Sequence, residues 1–399
     1  MKYFKEKSLL LFYCPLLFLC ISCSSKTVRK DEVELVPTGN LFLPIDSVTQ
    51  QYNPAICYVD NPKENFLAIY NNYNKKIYFY NVHNDVNFKT ISLPKENRGG
   101  IDTSAVIGFF LNNSDTIFIL TSDFQLHLFV EKTQQIRTIN LSPFTNSNSI
   151  YFQSKNVSFP SYTYGVNLHR IDGNFLFITG SMDDSWRNPN QDKAGILIRI
   201  NLHDGSKKYF SNYPNTYKGG RWSIYFRLTF ADYDSKEKAF VYSLPACNDL
   251  YLIDSTGSLI QKNDGSTKYS DKGIKPVAES KRVMNVPTSK IDDNYFTNLT
   301  YRYLMYDKFR NVYYRFAELP MINYVPTYQD FKQYSIIIFD SSLNIIGETL
   351  LPKGKEYMPG IMFISEAGLN ILKPSKNEDV LDFAIFQLKK KGLLEIETK

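Results

Sequence analysis

Residues 250–260, LYLIDSTGSLI, alternate apolar side chains, reach Asp254, turn through Ser255, Thr256 and Gly257, and become apolar again. The phrase recurs as IYFYNVHND at 77–85, ILIRINLHDG at 196–205 and IIIFDSSLN at 336–344, with looser copies at 126–139 and 383–396. Alternation with a period of two that ends on Asn or Asp reads as a strand, a tight turn and a return strand. Upstream of each copy lies a second apolar run, and usually a third before it, so the repeating unit is four short strands. With Phe66, Ile117, Phe175, Ala239, Val312 and Leu369 as equivalent points, the spacings run from 51 to 73 residues. That is the scale of propeller blades with loop insertions. Such a unit leaves an apolar face open until a neighbour covers it, so a blade is not expected to be stable alone.

The expected fold is therefore all-β: a six-bladed β-propeller of four-stranded antiparallel blades, one domain spanning 35–399. The 29 Tyr and 29 Phe among 399 residues agree with this, because aromatic side chains suit pleated, half-buried surfaces. The first and last blades of a ring must be tied together, since an open seam leaves unpaired strand edges. Residues 41–45 are expected to supply the outer strand of the last blade and close the ring from the N-terminal side; residues 393–397 are the rival. No window carries a sustained helical stripe, and an immunoglobulin-like sandwich pair does not explain a repeat of this length.

The first residues are read as an address. Lys2, Lys5 and Lys7 precede an apolar stretch at 8–22 that is interrupted by Pro15 and is too short to span a bilayer permanently. It reads as an export signal over 1–22. Its end, LCISCSSK, resembles the lipobox of bacterial lipoproteins, with the small residue Ser22 before Cys23 and Cys20 where the family usually has Leu. The resemblance implies a lipidated Cys23, held at a membrane by acyl chains, and then a polar tether to residue 34. Residues 24–27, SSKT, lack an acidic run, which favours an outer-membrane lipoprotein facing the periplasm and leaves surface exposure open.

The order of signal, lipobox cysteine, tether and six units resembles a domain-of-unknown-function family of Bacteroidetes lipoproteins, family 4221, with the shape of TolB-like and NHL-like propellers. The resemblance rests on residues 301–320 (YRYLMYDKFRNVYYRFAELP), 335–352 (SIIIFDSSLNIIGETLLP) and 363–372 (FISEAGLNIL). It implies a fold and an address and supplies no catalytic residues.

Chemistry is sparse along the chain. His83 and His203 follow their strands at equivalent places in the repeat and read as turn residues, while His127 and His169 have no second ligand at metal spacing. The acids Asp183, Asp184 and Asp192, and the pair Asp292 and Asp293, read as solvated loop acids without the alternation of a calcium loop. Apart from Cys20-Ile21-Ser22-Cys23 at the end of the export signal, no HExxH, CxxC, GxSxG or phosphate-binding glycine pattern occurs, so no metal and no cofactor are expected. The formal charge of +6 is spread along the chain and gives no nucleic-acid footprint. Cys57 and Cys247, in the first and fourth units, are expected to be buried thiols too far apart for a disulfide.

The most suggestive set is aromatic and basic. Residues 219–230 and 301–316 bring Arg221, Trp222, Arg227, Arg302, Tyr303 and Arg315 near the starts of two adjacent units. Arg pairs with carboxylate or sulfate and Trp or Tyr offers a flat face, the parts needed to bind an acidic glycan or peptide. The alternative for the same residues is plain cover on strand faces. The function expected is a lipid-anchored, non-catalytic binding or scaffold module for a protein partner or such a ligand; a channel-sited hydrolase or lyase, metal-assisted or not, is the alternative. Cys23→Ala is expected to move the exported protein from the membrane fraction to the soluble fraction. Retention in the membrane fraction contradicts the anchor.

Overall fold

The Asn or Asp that ends each repeated phrase caps its own turn. Asp254 Oδ1 accepts the Thr256 and Ser258 amides at 2.8 and 2.9 Å, and Asp340 Oδ1 accepts those of Ser342 and Asn344 at 2.9 and 2.8 Å. Asn81 and Asn201 take the amides of His83 and His203, so both histidines are turn residues. A second series, Asn61, Asn113, Asp234 and Asp307, accepts the amides two and three positions on, at the turn between the first two strands of a unit. Short polar side chains that bond their own backbone are what make these positions turns.

The computed structural model describes residues 29–392 apart from 50, 52–54, 84–85, 95–99, 103–105, 143–158, 161–168, 183–192, 284, 325–330 and 355. Cys23, the acids Asp183, Asp184 and Asp192, and the closure through 393–397 lie outside the described residues. After β1 (Val33–Pro44) comes a four-stranded sheet of β2 (Ala55–Asn61), β3 (Glu64–Asn71), β4 (Lys76–Asn81) and β5 (Val86–Ser92). The second holds β6 (Val106–Leu111), β7 (Thr116–Thr121), β8 (Gln125–Val130) and β9 (Gln135–Asn140). In the third, β10 (Phe159–Pro160) and β11 (His169–Asp172) both pair with β12 (Phe175–Ser181), which continues to β13 (Gly195–Asn201) and β14 (Lys207–Asn212). The fourth is β15 (Phe230–Asp234), β16 (Ala239–Ser243), β17 (Asp249–Ile253) and β18 (Leu259–Asp264). A ten-residue helix, α1 (Thr288–Thr297), precedes β19 (Thr300–Asp307), β20 (Val312–Glu318), β21 (Tyr334–Phe339) and β22 (Ile345–Leu350). Then follow β23 (Met362–Ser365), β24 (Gly368–Lys373) and β25 (Val380–Lys390).

The fold is all-β, with four-stranded antiparallel sheets arranged as a propeller. The expected six separate blades are corrected: hydrogen bonding separates four blades and merges the remaining strands into one eight-stranded sheet, β19-β20-β21-β22-β1-β25-β24-β23. The cause is β1. It pairs antiparallel with β25 from Val33 opposite Lys390 to Pro44 opposite Val380, and at its start it also runs parallel to β22, Val33 opposite Gly347. This closing strand begins well before the expected residue 41. The expected tether also ends early, because Lys30 and Glu32 donate their amides to the carbonyls of Ile345 and Ile346, and Arg29 pairs with Glu348.

Apolar packing runs around the whole ring. One cluster joins the first three blades, a second the third and fourth, and a third the fourth blade to the eight-stranded sheet. The last unites Leu41 and Leu43 of β1 and Phe363, Leu372 and Phe383 with Ile56, Leu67 and Ile69 of the first blade. Burying each such side chain is worth about 1.5–3 kcal/mol, so apolar packing as well as hydrogen bonding holds this seam. Cys57 and Cys247 are buried and form no disulfide; burial pushes the Cys57 thiol up to about 12.

Gly347 permits the β1–β22 contact, since a Cβ there would overlap the Val33 carbonyl. Gly347→Ala is expected to cost about 1–3 kcal/mol, measured by urea unfolding. An unchanged midpoint would show that the parallel pairing contributes nothing to closure.

Candidate binding groove over a buried ionic cluster

Glu318 ends β20 fully buried, and its surroundings answer for a charge taken out of water. Tyr295 of α1 donates its hydroxyl to Glu318 at 2.8 Å and Tyr334 of β21 donates at 2.5 Å. Arg302 of β19 stands at 3.6 Å and Lys332 at 3.9 Å. Lys332 is buried as well and donates to the carbonyls of Tyr295 and Asn298 and to Thr300 Oγ1, at 3.0, 2.7 and 2.9 Å. Burial first, with Glu318 beside them, pushes the phenols of Tyr295 and Tyr334 well above the usual tyrosine range. These bonds and ion pairs tie together α1, β19, β20 and β21, with Arg302 Nε left buried without a hydrogen-bond partner.

The long connection from β20 to β21 is built on this base. Leu319 N donates to Gln333 O at 2.8 Å at its neck, and Met321 N donates to Phe296 O of α1 at 2.8 Å. Between this connection, residues 269–272 and Lys353 lies a groove of about 390 Å³. Its apolar wall is Leu319, Pro320, Met321, Ile322 and Phe331, and its charged side chains are the cations Lys272 and Lys353 and the acid Asp271. Ile322 is 83% exposed, the most of any large apolar side chain among the described residues; Phe331 is 42% and Tyr269 39% exposed.

A family model described as a domain of unknown function, DUF4221, matches residues 32–350. The chain belongs to the DUF4221 family. A crystal structure of a DUF4221 member from Bacteroides vulgatus shares the fold, with a TM-score of 0.71 at 23% identity over 91% of this chain and 100% of that one. A luciferin-regenerating enzyme is more distant, with a TM-score of 0.43 at 9% identity over 89% of this chain and 96% of that one. No curated protein matches.

In this DUF4221 protein the six residues read from the sequence as a basic aromatic mouth do not form one surface. Arg315 lies wholly inside: it donates to Ser243 Oγ at 2.8 Å and to the carbonyls of Cys247 and Gly265 at 2.6 and 3.0 Å, with Asn248 as a further acceptor. Its guanidinium lies 3.6 Å from the Tyr301 ring centre in its own sheet, and the bond to Ser243 of β16 ties the fourth blade to the eight-stranded sheet. Trp222 is buried between Tyr217 and Phe226. Arg221 is buried, its amide bonded to Ala278 O, while the Arg227 carbonyl accepts from Tyr213. Only Arg302 and Tyr303 stay together, packed against Phe230, and Arg302 answers Glu318. β19 and β20, packed between neighbouring sheets, take Arg315 wholly and Arg302 largely into the interior.

The first segment also meets α1, through two tyrosines that sequence reasoning passed over. Tyr225, in a single 3-10 turn after Trp222, stacks on Tyr295 with ring centres 4.1 Å apart and reaches Asp292 at 3.5 Å. Asp292 and Asp293, expected in a loop, lie on α1. Asp232 of β15 is pushed up to about 6 by burial, but its oxygens accept the Tyr233 and Tyr306 amides, which makes it a tie between sheets. Among the described residues, no three His, Cys, Asp or Glu side chains gather as a metal site.

Burial lowers Lys332 to about 7, with Glu318 opposing and Arg302 reinforcing the shift. Below pH 7 both folded and unfolded chains carry this proton. Between 7 and about 10 the folded lysine loses it while the unfolded one keeps it, so stability rises with pH, by up to about 1.4 kcal/mol per unit. Lys332→Met is expected to remove that rise in urea midpoints measured from pH 7 to 9.5; an identical slope in both proteins contradicts the assignment.

Proposed function

We propose that this DUF4221 protein is a lipid-anchored, non-catalytic binding module of the cell envelope, facing the periplasm, whose contact surface is the groove over the ionic cluster. Within the eight-stranded sheet, β19–β22 and β23–β25 with β1 are each four antiparallel strands, joined only where Val33 meets Gly347. The six points taken as equivalent in the sequence fall on β3, β7, β12, β16, β20 and β24, the second strand of each unit.

The observation that carries the binding reading is the groove itself. Exposed Ile322, Phe331 and Tyr269 stand beside Lys272 and Lys353 on a base immobilised by Glu318 and Lys332. Apolar patches rimmed by charge mark interaction surfaces, and preformed ones lose less entropy on binding. The ligand-contacting role assigned to the arginines passes to these residues. An acidic partner with an apolar body fits both halves of the groove.

Poly-glutamate and sulfated oligosaccharides are expected to raise the melting temperature, because a ligand that prefers the folded state stabilises it by about 2.7 kcal/mol at a hundred times Kd. The double variant Lys272→Glu, Lys353→Glu is expected to lose the shift. A shift that survives the double variant, or turnover of either compound, contradicts the proposal.

A further inference from the structure

Where the chain enters the fold fixes how far the groove can stand from a membrane. Arg29 donates to the Ser266 carbonyl at 3.1 Å and pairs with Glu348, while Asp31 pairs with Lys268 at 2.8 Å and Lys391 at 2.9 Å. Those bonds from Lys268 and Lys391 outweigh partial burial and lower the Asp31 carboxyl to about 2. The segment that grips the incoming chain, 266–268, runs directly into Tyr269 and Lys272 of the groove. From Cys23 to Arg29 there are six residue steps, which span at most about 20 Å when fully extended. Acyl chains on Cys23 would therefore hold this corner of the molecule against the bilayer surface, while the rest of the ring stands away from it.

That corner has the composition of an interfacial contact. Ile322, Phe331 and Tyr269 line the groove with exposed Lys272 and Lys353, against one exposed acid, Asp271. Two acids of the same region, Asp31 and Glu348, are already neutralised by internal pairs. Apolar and aromatic side chains enter the headgroup boundary, and lysines near it are drawn to anionic lipid.

We propose that the groove docks on an anionic lipid surface, so that the folded domain lies on the membrane in one orientation with Ile322 and Phe331 in the interface. This rests on the anchor at Cys23 and on the groove as the contact surface. The lipid chain alone would leave the ring tumbling on its short tether. The docked face removes that freedom and turns the opposite end of the blades toward the periplasm.

The test uses the full chain reconstituted into vesicles of phosphatidylglycerol and phosphatidylethanolamine, with brominated phosphatidylglycerol as quencher. Ile322→Trp reports from the groove. Phe309→Trp reports from the far end of the eight-residue β19, roughly 25 Å along the strand. The wild type supplies the background from Trp186 and Trp222, and intact mass reads the acyl chains on Cys23. Quenching is expected at 322 and not at 309. It should weaken in phosphatidylcholine, and vesicle partition should fall about tenfold in Lys272→Glu, Lys353→Glu. An acylated protein in which 322 is unquenched, or in which both sites are quenched alike, overturns the docked face and leaves the anchor standing. A chain without acyl groups overturns the anchor; quenching at 322 on excess vesicles would then still support the face, and its absence would end both.

Discussion

The pairing of β1 with β25 is the interaction on which the rest of the molecule depends. A propeller has no internal reason to close: each sheet is satisfied by its two neighbours, except at the seam, where chain ends must supply the missing edge. Here the N-terminal strand crosses that gap. Through Leu41 and Leu43 it packs against both the first blade and the last strands, and through Val33 it reaches the outer edge of β22. Because Gly347 lets the backbones touch there, a seam between two sheets becomes one continuous sheet.

The same strand links architecture to function. The residues just before it, Arg29 to Glu32, are held by Glu348, Lys268, Ile345 and Ile346. The chain therefore arrives beside the groove, so the strand that closes the ring also fixes where its N-terminal approach lies. The buried cluster around Glu318 is the second support. A carboxylate, an ammonium and a guanidinium in the interior are costly unless mutually arranged, and their arrangement sets the connection from β20 to β21 on a base that cannot shift without breaking it.

Much of the fold was legible because local chemistry writes it out. Asp254, Asp340, Asn81 and Asn201 announce turns by bonding their own backbone, and that signal needs no tertiary context. The equivalent positions from Phe66 to Leu369 land on equivalent strands for the same reason. Residues 41–45 pointed at the closing strand, but its true start at Val33 was hidden by a charged sequence, RKDEVE, that reads as solvated tether until its partners are known. The site was far less legible. Arg302 in Tyr-Arg-Tyr and Arg315 in Tyr-Arg-Phe sit in similar aromatic contexts, yet one answers Glu318 and the other fills an inter-sheet space lined by backbone carbonyls. Which neighbour a strand faces is not written in its alternation. Glu318 in YYRFAEL and Lys332 in DFKQYSIIIF are charges placed among apolar strands, the signal that could have drawn attention to them, but their meeting depends on a loop that brings sequence-distant ends together.

Native-state hydrogen exchange of the amides in β1 tests the closure most directly. If β1 holds the ring shut, the amides of Leu41 and Leu43, paired with Phe383 and Leu381, exchange only with global unfolding, at the same free energy as those of β3 and β20. If β1 amides exchange by local opening at a much lower free energy while β3 and β20 remain protected, the ring stays closed without its N-terminal strand and the account is wrong.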